Sequence, residues 1–142
     1  MKPLIRFARL SSPERARLLE AVAALAVAGG LLKAVGFPRL ASRLGHHMTE
    51  SPRVQDAEAV KAADEIRWAV QAAAANLPWK PVCLPQAVAA QWMLRRRGIR
   101  STLYLGVDPG RQLDAHAWVR AGEVVVTGGE GKDRFVVVST FA

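Results

Sequence analysis

Cys83 is the single cysteine of the 142-residue chain, and its neighbours suit it to nucleophilic work. Pro85, two positions on, is tolerated only in the first turn of a helix, so Cys83 falls at a helix start. The first N–H groups of a helix lack acceptors and carry partial positive charge, which favours a thiolate over a thiol. A thiolate attacking a carbonyl needs an imidazole to take its proton and return it to the leaving group. Of the three histidines, His46 and His47 lie in a polar connector and read as solvated loop residues. His116 stands mid-strand in Ala115-His116-Ala117-Trp118-Val119, flanked by alanines that leave room for close approach, 116 − 83 = 33 residues after the cysteine. A helix packed on a short antiparallel sheet brings its N-terminus beside the second strand. Thiol-based acyl transfer, with Cys83 as nucleophile and His116 as base, is the chemistry this order supports. The plain alternatives are a small buried hydrophobe at 83 and a structural histidine at 116.

A third group usually orients the imidazole. The end of the following strand and the loop after it read Val126-Thr127-Gly128-Gly129, with no carboxylate. If Ala121-Gly122 forms a two-residue hairpin turn, 120 pairs with 123 and 116 falls opposite 127, which makes the Thr127 hydroxyl the candidate orienting group. A backbone carbonyl is the other neutral option. Asp114 shares a face with His116 but lies only two residues away, and Glu130 and Asp133 follow in a loop. The N–H of Cys83 or Leu84 is the nearest donor for an oxyanion, with the Gln86 side chain as an alternative. Trp79 and Trp118 are the candidate walls of a substrate groove, while Trp68 and Trp92 read as core. No CxxC or Cys/His metal spacing occurs, and nothing in the residue pattern calls for a cofactor.

The elements that must position these groups are legible in the periodicity. Ser12-Pro13-Glu14 opens a helix expected over 13–35, stopped by Gly36 and Pro38. A turn of helix follows at 38–44, a connector at 46–53, a helix at 55–76 closed by Asn76-Leu77-Pro78, and a third long helix from Cys83 to Gly98. Arg95-Arg96-Arg97 sits in its last turn, complementing the helix dipole as a solvated end. Beyond it, strands are predicted at 102–107, 114–120, 123–127 and 135–140, joined as an antiparallel meander. The class is α+β in one domain, 1–142: a basic helical segment over 1–48, then a core over 54–142 whose nucleophile stands at a helix N-terminus packed on a small antiparallel sheet.

The formal charge is +8, and residues 1–48 hold eight basic side chains against two acids, +6 of the total. Few aromatics and no basic stripe interleaved with stacking residues argue against nucleic acid. Membrane-surface binding by the basic segment is a secondary reading. The apolar run Ala21–Leu32 is too short to span a bilayer and is preceded by twenty residues that include Glu14 and Glu20, so a cytoplasmic location is expected.

Taken in order, Cys83-Leu84-Pro85-Gln86-Ala87, Leu94-Arg95-Arg96-Arg97-Gly98-Ile99, Leu105-Gly106-Val107 and Ala115-His116-Ala117-Trp118-Val119 resemble the peptidase of lasso-peptide biosynthesis. That family has a transglutaminase-like, papain-related core. The resemblance spans about residues 80–126, with a weaker likeness at the Ser-Pro-Glu-Arg helix start. It implies a cysteine peptidase that removes the leader segment of a ribosomally made precursor peptide, with Cys83 and His116 matching nucleophile and base. It also implies a separate leader-binding partner protein, and the ATP-using lasso cyclase as a further partner. The family usually places an aspartate where this chain has Thr127-Gly128, so weakened activity or an altered site is a stated consequence. Transfer of the acyl group to an amine, and a non-catalytic peptide-binding module on the same fold, both stay open.

Overall fold

A computed structural model of the chain describes residues 7–142, with only the backbone of residues 111–114. Among the described residues, 7–9 are helical, and four helices follow before the sheet: α1 (Ser12–Ala34), α2 (Phe37–Ala41), α3 (Ala57–Asn76) and α4 (Cys83–Arg96). Each begins where local chemistry allows. The Ser11 hydroxyl accepts from the Glu14 N–H and donates to the Glu14 carboxylate, and Asp56 accepts from the Ala59 N–H at 2.8 Å. The N-cap of α1 is therefore Ser11 rather than Ser12. Gly98 (φ +70) ends the α4 turn in the left-handed region that glycine alone enters without strain.

The strands are β1 (Thr102–Asp108), β2 (Arg111–Ala121), β3 (Val124–Thr127) and β4 (Val136–Phe141), with a 3₁₀ turn at Lys132–Arg134 before the last. The sheet is antiparallel in the order β3-β2-β1-β4. The expected meander is thus corrected: after β3 the chain crosses the sheet and pairs β4 with β1. The glycine-rich segment 128–131 and the 3₁₀ turn supply the length for that crossing.

Alternation divides the sheet into two unlike faces. Leu103, Ala117, Val119 and Ala121 join a core with Ile66 and Val70 of α3, Val88 and Leu94 of α4, and Leu25 of α1, all buried. The opposite face carries Tyr104, Gly106, His116, Trp118 and Arg120. Tyr104 and Trp118 are buried there, outside the helix-facing core. Burying these apolar side chains, at roughly 1.5–3 kcal/mol each for the larger ones, is what offsets the cost of ordering the chain. α1 is held on the side of α4 by a charged clamp as well as by packing. Glu20 accepts from Arg97 at 2.6 Å and Arg96 at 2.9 Å, and Arg17 meets Glu65 at 2.7 Å. The hydrogen bond from Arg97 holds the Glu20 carboxyl below its ordinary range. Two of the three terminal arginines of α4 thus have a carboxylate partner instead of facing only solvent. No helix among the described residues is long and apolar enough to cross a membrane.

Candidate active site

Cys83 is the first residue of α4, free and half-buried against the core. Val82 caps the helix by backbone alone, so the N–H groups of Cys83 and Leu84 have neither an intrahelical acceptor nor a side-chain cap. Those two donors lie at the helix start that bears the thiol and are the ones an oxyanion could use. Gln86 turns back: its side-chain N–H donates to the Pro81 carbonyl at 2.8 Å, pinning the segment that leads into Cys83. The side-chain oxyanion donor proposed from sequence is therefore engaged in loop structure.

His116 sits on β2 opposite Gly106. Its Nε2 lies 2.6 Å from the Gly128 carbonyl, so Nε2 carries the proton and donates. The tautomer that results leaves Nδ1 as the basic nitrogen, and Nδ1 has no hydrogen-bond partner among the described residues. Gly128 fits this place for two independent reasons. Its φ of +68 lies in the left-handed region, and an added Cβ would stand 2.5 Å from the Ala117 carbonyl oxygen and 2.9 Å from Trp118 Cβ. The ring is further enclosed by Phe135, 5.1 Å away between centroids, and by Trp118 at 5.7 Å. Gly106 leaves the space for both, since a Cβ there would come within 3.0 Å of Phe135 and Trp118.

The same face continues as a column of stacked groups. Trp118 stacks on Tyr104 (5.4 Å, 11°), and the Arg120 guanidinium lies 5.8 Å from the Tyr104 ring centre. Arg120 is buried and donates to the Ser51, Pro52 and Gly122 carbonyls, to Tyr104 Oη at 2.9 Å, and to Thr102 Oγ1. Tyr104 in turn donates to Glu50 at 2.6 Å. Burial, and next the hydrogen bond to Glu50, push the Tyr104 hydroxyl above its ordinary pKa, with Arg120 opposing. This buried cation, with no directly bonded carboxylate among the described residues, locks the 50–52 connector to the sheet. Sequence reasoning missed it, although the signal was there: Arg120 lies four residues from His116 on a strand, hence on the same face.

The other residues singled out from sequence fall as follows. Thr127 pairs with Val119, not with 116, because the hairpin loop is Gly122-Glu123 (Ala121 pairs with Val124) and β2 and β3 slip register between Val119 and Arg120. Its hydroxyl is buried and unpartnered, and the neighbour of the imidazole is the next residue's carbonyl. Glu130 and Asp133 are exposed, the latter beside Lys132 at 3.0 Å. The Asp114 side chain lies outside the described residues. Trp118 is buried at 6 % exposure and cannot line a groove, whereas Trp79 is 53 % exposed on the segment before Cys83. His47 is exposed yet ordered, stacked 5.0 Å from Phe141 and 3.3 Å from Ser139 Oγ.

Cys83 and His116 come from the two layers expected, but no hydrogen bond joins them among the described residues. Cys83 packs toward the helix-facing core, and alternation turns His116 to the opposite face of β2.

Residues 31–140, most of the chain, match the transglutaminase-like superfamily. The chain belongs to this superfamily. No curated protein and no solved structure matches it. The superfamily match embraces α3, α4 and nearly the whole sheet, and so contains Cys83, His116 and Gly128. It omits most of α1, which reads as an addition packed on the superfamily core. Membership in a transglutaminase-like superfamily is compatible with a cysteine peptidase or an acyltransferase.

Proposed function

We propose that the chain is a cysteine peptidase that removes the leader segment of a lasso precursor peptide in the cytoplasm, together with a separate leader-binding protein. The observation that carries this is the tethered imidazole. Nε2 is fixed on a carbonyl, and Nδ1 is left unbonded in a chain whose one thiol opens the helix packed on the same sheet. In the reaction Nδ1 takes the thiol proton as Sγ attacks the scissile carbonyl, and the N–H groups of Cys83 and Leu84 receive the oxyanion. Collapse of that intermediate expels the amine, protonated by the imidazolium, and leaves a thioester. His116 then deprotonates water, which releases the new carboxylate and restores the thiol. The reading requires a rearrangement that brings Sγ and Nδ1 together, because His116 stands on the face of β2 turned away from the core against which Cys83 packs. The Gly128 carbonyl replaces a carboxylate in orienting the ring but leaves the imidazolium without a compensating charge, so the turnover expected is modest.

The test is cleavage of a cognate precursor by purified protein with the leader-binding partner, read by mass spectrometry. Wild type should cut once at the leader–core junction. Cys83→Ala and His116→Ala should each lower the rate by about a thousandfold or more. Cleavage that survives Cys83→Ala refutes the peptidase reading, and a product mass showing an amine adduct points to acyl transfer.

A further inference from the structure

The ring of His116 on β2 is gripped in part by a residue from two strands away. β1 lies between β2 and β4, and its Gly106 stands opposite His116. Because Gly106 has no side chain, Phe135, the residue leading into β4, reaches over β1 and sets its ring 5.1 Å from the imidazole. A Cβ on Gly106 would stand 2.9 Å from Phe135 Cβ. Both ends of the 128–135 segment thus hold the imidazole: Nε2 lies 2.6 Å from the Gly128 carbonyl, and Phe135 packs on the ring. The Gly128 end follows β3 directly. The Phe135 end is held by less backbone, since the β1–β4 ladder stops at Val107–Val136, just past a slip between Leu105 and Gly106. Side chains make up the difference. The Arg134 guanidinium lies 4.9 Å from the centre of the Phe135 ring, and its Nε lies 3.4 Å from Asp108 Oδ2. Asp108 Oδ1 accepts from the Gly110 N–H at 2.9 Å, so both oxygens of this nearly buried carboxylate are engaged.

We infer that Asp108 is a positioning residue for His116: through Arg134 it holds Phe135 against the imidazole, and so keeps Nε2 on the Gly128 carbonyl and Nδ1 as the basic nitrogen. Without the Phe135 wall the ring is free to turn about χ2, a broad torsion for histidine, and to exchange its tautomer. Among the described residues no carboxylate bonds the imidazole. Asp108 therefore acts on it by constraint, at the far end of a chain of contacts, and not by charge at Nε2. The side chains of Arg134 and Asp108 are 61 and 12 % exposed, so salt reaches the pair and its worth is modest. The place of the ring as catalytic base rests on the peptidase reading; the hold on the ring does not.

The experiment reads the tautomer of His116 by long-range nitrogen–proton NMR at a pH where the ring is neutral, its signals assigned by their loss in His116→Ala. Wild type is expected in the Nε2–H form. Asp108→Asn keeps an acceptor for the Gly110 N–H and removes the charge; Arg134→Met keeps an apolar cover over Phe135 and removes the charge. Each should lower the ratio of Nε2–H to Nδ1–H about three- to fivefold, the size of a partly exposed ion pair. The double variant should fall no further than either alone, because a pair with one member gone is already lost. Salt at about 1 M should lower the ratio in wild type and leave Asp108→Asn unmoved. An unchanged ratio in either folded variant, additive losses in the double variant, or a wild-type ratio that ignores salt would each overturn the inference. The salt arm needs no substitution, so it decides even where a variant fails to fold. Precursor cleavage by either variant should lose the same factor in kcat with KM unchanged. A tautomer shift in a protein that does not cleave would sink the peptidase reading and leave the hold on the ring standing.

Discussion

Gly128→Ala separates backbone conformation from the contact that holds His116, because Gly131 provides an internal control. Both glycines adopt positive φ, +68 and +73. A non-glycine residue in that region costs about 1–2 kcal/mol. At Gly131 nothing lies within 4 Å of an added Cβ, so Gly131→Ala should cost only that amount. At Gly128 the Cβ would stand 2.5 Å from the Ala117 carbonyl oxygen, 2.9 Å from Trp118 Cβ and 3.1 Å from His116 Nε2. Two of those three obstacles are backbone or the root of a buried side chain, so the loop must shift, adding about 1–3 kcal/mol for overpacking. The expected totals are about 2–5 kcal/mol for Gly128→Ala and about 1–2 kcal/mol for Gly131→Ala, read from urea midpoints followed by tryptophan fluorescence. The shift also moves the carbonyl that accepts from Nε2. Precursor cleavage by folded Gly128→Ala should therefore fall by about ten- to a hundredfold, with Gly131→Ala near wild type. Equal stabilities for the two variants, or a strongly destabilised Gly128→Ala that cleaves at the wild-type rate, would refute the role given to this carbonyl.

Two further outcomes follow from the buried charges. Tyr104 is the only tyrosine, so ultraviolet tyrosinate absorbance reports it alone. Its titration should be centred above the ordinary 10.0, and stability should be lost as pH rises through that range, since the neutral phenol is the form the fold favours. Glu50→Gln should move the midpoint downward while burial keeps part of the elevation; an ordinary midpoint in wild type would contradict the burial of this ring. Glu20 has the opposite sign: its carboxyl is depressed, so its contribution is present above the ordinary 4.5 and disappears as pH falls through the folded value. Wild type should accordingly lose its stability advantage over Glu20→Gln in acid. A gap between the two that does not change below pH 4.5 would show that the Arg97 pair contributes nothing.

Local signals in the chain set the elements and the endpoints that matter for chemistry. Pro85 confined Cys83 to a helix start, Gly98 ended that helix, and alternation around His116 made a strand, because these signals act through local backbone sterics and the period of side-chain burial. The four strands and their α+β order were readable for the same reason. Register was not. One residue's difference in the hairpin loop, and a slip beyond it, moved Thr127 away from His116 and put the Gly128 carbonyl there instead; no local signal distinguishes those alternatives. The placement of β4 beside β1, the burial of Trp118, and the enclosure of Arg120 by carbonyls from residues 51, 52 and 122 were likewise decided only by tertiary packing. Each joins residues far apart in sequence on the outer face of the sheet, where the pattern of polar and apolar positions looks like that of a solvated surface. The 128–135 segment and the 50–52 connector lie over that face and make it an interior, and an interior obliges its polar groups to find partners.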